Sequence, residues 1–160
     1  MVFIKKNKTQ GKIFSINYSK NKGTSKTPVE KIMLIENFGL EGDAHAGNGI
    51  RQVSLLSIES IRKQKACPKV KKTEVILKPG DFGENITTQG IDLSKLKIGD
   101  KLKINSEVTI EISKIGKECH RFCSIYYKTG NCIMPKQGIF AKVIKGGLIK
   151  TGDKIKVIYD

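Results

Sequence analysis

The sequence predicts a mainly β protein, a barrel-like curled sheet with one or two short helices, on three observations. Short apolar segments, many of them alternating, recur between turn signals built from Gly, Asp, Asn and Pro. A Gly-Asp turn leading into an alternating strand occurs twice. Helix signals are few and brief, the stretch after Ser57 among them. The competing arrangement is an open α+β sheet.

Taken in order, Lys12 to Tyr18 reads as a first strand and Ser19 to Thr27 as a polar loop, and Val29 to Glu36 reads as a second strand. Gly39 to Gly49 is a long loop, with glycines at 39, 42, 47 and 49 around Asp43 and His45. It hands over to a strand from Arg51 to Leu56. Ser57 caps a short helix through about Gln64, with Ser60 where a complete capping box carries Glu or Gln, and Cys67-Pro68 ends it. Pro79 to Gly83 is a turn that leads into a strand from Glu84 to Thr88. The run Lys97-Ile98-Gly99-Asp100-Lys101-Leu102-Lys103-Ile104 parallels Lys150-Thr151-Gly152-Asp153-Lys154-Ile155-Lys156-Val157, which reads as two equivalent barrel corners. Val108 to Ser113 and Gly138 to Ile144 are further strands.

A length of 160 residues fits one domain, 1–160, that buries enough surface to need neither disulfides nor a structural metal. Hydrophobic residues make up 38% and recur in punctuated segments, which excludes a wholly disordered chain. Apolar runs such as Ile32 to Ile35 fall far short of the roughly 20 residues a membrane helix needs. Met1 to Lys8 has no signal-peptide core, so a cytoplasmic setting is expected, with Cys67, Cys119, Cys123 and Cys132 as thiols or metal ligands. The formal charge is +15, but 27 of the 30 basic residues are Lys, the exceptions being Arg51, Arg62 and Arg121. Scattered Lys reads as a solvated, anion-attracting field and ranks above a nucleic-acid groove, which favours Arg. Aromatic content of 6%, with no Trp, speaks against a base-stacking platform.

Two regions carry chemistry. In Gly42-Asp43-Ala44-His45-Ala46-Gly47, followed by Arg51-Gln52, glycines allow a ligand close to the main chain and Arg51 offers a fork for phosphate or carboxylate. The bland alternative is a surface loop in which Asp43 caps its own backbone. In Gly116-Lys117-Glu118-Cys119-His120-Arg121-Phe122-Cys123, Lys117, His120 and Arg121 surround Cys119 with groups that stabilise a thiolate, the form that attacks sulfur or binds a soft metal. A reactive thiol competes with an inert core cysteine and with a Zn site of Cys119, His120, Cys123 and Cys132, whose spacing lacks paired knuckles. Paired carboxylates such as Asp81 with Glu84 receive no priority. Phosphate-loop, His-Glu-x-x-His and Gly-x-Ser-x-Gly patterns are missing from the sequence.

These segments, with Arg51-Gln52-Val53-Ser54-Leu55, Pro79-Gly80-Asp81-Phe82-Gly83-Glu84-Asn85-Ile86, Ile98-Gly99-Asp100 and Cys132-Ile133-Met134-Pro135 through Gly138-Ile139-Phe140-Ala141-Lys142-Val143, occur in the order found in MOSC domains. The chain resembles a stand-alone MOSC domain over a core of about residues 11–158; the same domain lies at the C-terminus of molybdenum cofactor sulfurases. The resemblance implies a barrel like the β-barrel domain of pyruvate kinase and a role around the molybdenum cofactor, a molybdopterin. It places the family's characteristic cysteine on Cys119, as a carrier of persulfide sulfur or a contact to molybdenum. Cofactor-binding roles then fall to Gly42, Asp43, His45, Arg51, Asn85 and Arg121, with Arg51 and Arg121 on the phosphate.

The chain departs from sulfurases in having no room for a pyridoxal-phosphate desulfurase domain, so no pyridoxal phosphate is expected and sulfur must come from an external cysteine desulfurase or other persulfide donor. The expected recipient is a molybdoenzyme or a cofactor-biosynthesis protein, and any enzymatic activity would be of sulfurtransferase or cofactor-dependent type. A detoxifying role toward N-hydroxylated bases is the other activity the resemblance leaves open. Cys123 and Cys132 are additions without an assigned role.

Overall fold

The computed structural model describes residues 8–21, 25–47, 49–65, 78–116 and 138–158. Its main body is a closed barrel of seven strands. The strands are β1 (Gln10–Tyr18), β5 (Val53–Ser57), β6 (Ile86–Gln89), β7 (Lys101–Ile104), β8 (Val108–Ile115), β9 (Ile139–Lys145) and β11 (Lys154–Ile158). They run in the order β11-β7-β8-β9-β5-β6-β1, and β1 pairs back onto β11 to close the cylinder. Closure leaves these strands no free edge. Every neighbouring pair is antiparallel except β5 and β6.

The period-2 pattern that predicts strands is also what fills the barrel. In β7, β8 and β11, alternate residues Leu102, Ile104, Val108, Ile110, Ile112 and Ile155 point into one core with Val53, Leu55, Ile86, Ala141 and Val143, while their neighbours face outward. A register shift in β1 between Ile13 and Ser15 lets Ile13 and Ile16, three residues apart, both reach that core. The Gly99-Asp100 and Gly152-Asp153 corners are built alike: Lys97 N donates to Asp100 Oδ2 at 2.9 Å and Lys150 N to Asp153 Oδ2 at 2.8 Å.

Local differences from the sequence reading have physical causes. The expected second strand breaks at Glu30 into β2 (Thr27–Val29), which extends the barrel sheet from β1, and β3 (Lys31–Ile35), which joins a small separate sheet. That sheet orders β10 (Gly147–Lys150), β3 and β4 (Gly39–Leu40), so the expected long glycine loop begins with a two-residue strand. The helix α1 (Ile58–Lys65) starts where Ser57 Oγ accepts from Ser60 N at 3.1 Å, and Glu59 in its first turn accepts from Gly90 N at 2.6 Å. A 3-10 turn, Leu93–Lys95, helps plug that end of the barrel with Leu93 and Leu96. The expected helix stop at Cys67-Pro68 lies outside the described residues. Among the described residues no helix is long and apolar enough to cross a membrane.

One sector of the wall is buried on both faces. β1, β5 and β6 turn Ser15, Asn17, Ser54 and Thr87 away from the barrel core, yet all four are buried. The candidate site grows from this sector.

Candidate functional site

Burying polar side chains outside the barrel core requires that they bond to one another, and they do. Ser15 Oγ donates to Asn17 Oδ1 at 2.7 Å, Asn17 Nδ2 to Thr87 Oγ1 at 2.9 Å, and Thr87 Oγ1 to Glu84 Oε2 at 2.8 Å. The chain of donors ends on a carboxyl that is fully buried, and its other oxygen, Glu84 Oε1, has no hydrogen-bond partner among the described residues. Burial pushes the Glu84 carboxyl up to about 7, although the N–H groups of Gly80, Glu84 and Phe82 and the Thr87 hydroxyl pull the other way.

Asn85 ties the strands together beside it. Its Oδ1 accepts from both Ser54 N and Ser54 Oγ at 3.0 Å, and its Nδ2 donates to Asn17 O at 3.3 Å. Because β5 and β6 run parallel, Ser54 and Asn85 start them at the same end of the barrel, 31 residues apart in sequence. Both ends of the Asn85 amide are engaged inside the protein, so it positions the wall on which a ligand would rest.

The turn before Glu84 supports the next layer. Gly80 has φ +91°, and a Cβ built there would collide with Lys26 O, while Lys26 N donates to Gly80 O at 2.8 Å. Only glycine permits this approach. It delivers Lys26 to the glycine loop, where its Nζ lies 2.7 Å from Asp43 Oδ1 with both side chains buried. Asp43 also accepts from Ser19 N and His45 N at 3.1 Å, so it organises its own loop as well as binding the lysine. Burial raises the Asp43 carboxyl, but Lys26 and these backbone donors outweigh it and hold the carboxyl below its ordinary value.

Lys26 Nζ also lies 3.1 Å from His45 Nδ1. An ammonium has donors only, so in this contact Nδ1 is the accepting atom. The His45 side chain is 33% exposed, which makes it the part of the cluster that meets solvent. Gly42, with φ +78°, packs toward Tyr18, and Gly39 comes so close to Gln52 O that the loop base rests on the start of β5. Arg51, one residue earlier, is exposed and stacks its guanidinium 5.6 Å from the Phe140 ring centroid.

Gly42, Asp43, His45, Arg51 and Asn85 therefore gather at one end of the barrel, linked through Lys26, Asn17 and Gln52. Cys119 and Arg121 lie outside the described residues, as do His120, Cys123 and Cys132. Among the described residues no group of three His, Cys, Asp or Glu side chains could hold a metal. Lys26 and Glu84 were not singled out by sequence. Lys26 sits in a run of Lys, Ser and Thr that reads as solvated loop, and its signal is only that the run ends on the Thr-Pro of β2. The burial of Glu84 has no local signature.

The fold is shared with solved structures. The YuaD protein of Bacillus subtilis superposes with a TM-score of 0.75 at 20% identity, over 94% of this chain and 97% of that one. YiiM from Escherichia coli gives a TM-score of 0.64 at 22% identity, over 93% of this chain and 70% of its own, and YiiM from Geobacillus stearothermophilus 0.68 at 20%, over 92% and 75%. At these identities the likeness shows the fold. No curated protein sequence matches the chain significantly. The model of the MOSC domain matches residues 41–156, from the turn that opens the Asp43 loop to the last barrel strand, and the chain accordingly belongs to the MOSC domain family.

Proposed function

We propose that this protein binds a molybdopterin-type cofactor at the barrel end built by the Gly42–Gly47 loop, and that Cys119 carries sulfane sulfur for delivery to molybdenum. The observation that carries the reading is Arg51. Its guanidinium is held over Phe140 beside the glycine loop, with no hydrogen bond or ion pair to any described residue, so its planar fork is presented to solvent. Such a fork fits a phosphate monoester. The fixed Asp43 carboxylate keeps the loop backbone in place, with the partly exposed His45 beside it. The donor set thus fits the anionic part of the cofactor. When bound, the cofactor would supply a molybdenum centre that accepts sulfur as sulfide, with an external thiol giving the two electrons that the persulfide sulfur needs and leaving as a disulfide with Cys119.

The chain's own contribution to sulfur transfer rests on Cys119. Its thiolate attacks the outer sulfur of a donor persulfide, a new S–S bond forms, the donor's S–S bond breaks, and the donor leaves as a thiol. A cytoplasmic desulfurase or other persulfide protein is the donor class, and the cofactor, as substrate, is the recipient.

The test uses full-length protein from cells that make molybdopterin, with bound pterin released under oxidising conditions and quantified by fluorescence. Pterin is expected at near one per chain, and Arg51→Ala is expected to weaken retention by about tenfold or more, the scale of one charge-assisted phosphate contact. Absence of pterin from the wild type would overturn the binding reading. Mass spectrometry after incubation with a persulfide donor then assigns the sulfur, and its appearance on Cys123 or Cys132 but never Cys119 would refute the carrier role.

A further inference from the structure

Away from the site, the outward face of three neighbouring barrel strands carries lysines in register. Across β1 and β11, Lys12 stands opposite Lys154; across β11 and β7, Lys156 stands opposite Lys103. The remaining cross-strand neighbours in the second row are Gln10 and Thr109, so no carboxylate shares it. Lys12, Lys154 and Lys156 are exposed and Lys103 partly so, and none of the four forms an ion pair within the described residues. The carboxylate closest in sequence, Asp153, is turned into its own corner, where Oδ2 accepts from Lys150 N and Asn105 Nδ2. Together with the turns at Asn105–Ser106 and Gly152–Asp153, three of these lysines line a groove of about 730 Å³.

Like charges placed directly across a sheet oppose folding, and uncharged residues would suit the same outward positions better. Two such pairs side by side therefore make sense as a surface completed by something anionic. The chemistry of the face narrows its occupant. Every cation in it is a lysine, a compact point charge without the planar fork suited to phosphate, and no aromatic residue lines the groove for a base to stack on. Each strand here is flanked on both sides, so a partner cannot add a strand and must engage side chain to side chain.

We propose that this lysine face docks a carboxylate-rich surface of a partner protein. The proposal stands on register and charge, independently of the chemistry assigned to Cys119 and the cofactor.

The experiment measures fluorescence anisotropy of a labelled oligoglutamate peptide at low and physiological salt, against the full chain and two triple variants of equal charge. Lys103→Gln, Lys154→Gln, Lys156→Gln neutralises the face; Lys31→Gln, Lys95→Gln, Lys97→Gln removes three exposed lysines elsewhere. The face variant is expected to bind at least about tenfold more weakly than the wild type and the control less than about threefold, with salt suppressing the difference. The face variant should also melt at a temperature no lower than the wild type, because like-charge pairs have been removed, which separates lost docking from lost folding. Equal losses in the two variants would reduce the effect to net charge and overturn the proposal, as would absence of binding by the wild type. Tighter binding of a charge-matched oligothymidylate through the same lysines would overturn it in favour of a nucleic-acid face.

Discussion

Replacing Glu84 by Gln tests the energetics of the buried sector most directly. In the folded protein burial raises this carboxyl from 4.5 to about 7, and the group is fully buried, so solvent does not screen the effect. The folded state therefore holds a proton that the unfolded chain releases first. Stability contributed by the neutral acid is fully present below pH 4.5 and is lost as pH rises through about 7. At 1.36 kcal/mol per pH unit, the interval corresponds to about 3 kcal/mol. Glutamine stands in for the neutral acid: its carbonyl still accepts from Thr87 and it never ionises, although its amide brings two N–H donors where the acid has one O–H. Urea denaturation at pH 5 and pH 8 should show the wild type losing most of that 3 kcal/mol relative to the variant, which becomes the more stable protein at pH 8. Asp43 does not confuse the comparison, since its carboxyl is held below its ordinary value and titrates at lower pH. Parallel pH profiles for the two proteins would show that Glu84 ionises normally and that a donor reaches Oε1, refuting the reasoning.

Two further substitutions probe the supports of the glycine loop. Lys26→Met leaves the buried Asp43 carboxylate without its ion pair and should destabilise by about 3–5 kcal/mol in denaturant melts, with Lys26→Met/Asp43→Asn, which removes the charge and keeps an acceptor for the loop N–H groups, recovering part of the loss. Additive losses in the double variant would contradict the pairing. Gly80→Ala forces a side chain into a positive-φ position against Lys26 O and should cost about 2 kcal/mol or more. A melt unchanged from the wild type would mean that the Lys26 segment does not depend on that close approach.

The period-2 strands were legible because one face of each must be apolar. β7, β8, β11 and the twin Gly-Asp corners follow from that rule and from turn chemistry alone. The split at Glu30 was not legible, since Val29 to Glu36 has an unbroken β composition and only the arrangement of two sheets decides where it divides. That Gly42, Asp43, His45 and Arg51 share one end of the barrel was legible because glycines, an acid, a histidine and an arginine stand close in sequence. Lys26 joins Asp43 across 17 residues, and Glu84 is buried by strands that come from distant parts of the chain, so neither left a local trace. The bonds by which Asn85 ties β5 to β1 were not legible either, since they join it to Ser54 and Asn17, 31 and 68 residues away.

The sector buried on both faces also bears on how the protein folds. Its bonds are non-local: Asn17 meets Thr87 across 70 residues and Ser54 meets Asn85 across 31, whereas β7 and β8 form a hairpin through a tight turn. Loop closure makes such contacts late relative to hairpins. Glu84 thus loses its water near the end of folding, and its ionisation should act on the rate of escape from the native state more than on the rate of arrival. Stopped-flow measurements should find unfolding accelerated by about a hundredfold between pH 5 and pH 8 with refolding nearly constant. The reverse partition would place the formation of this wall before the barrier.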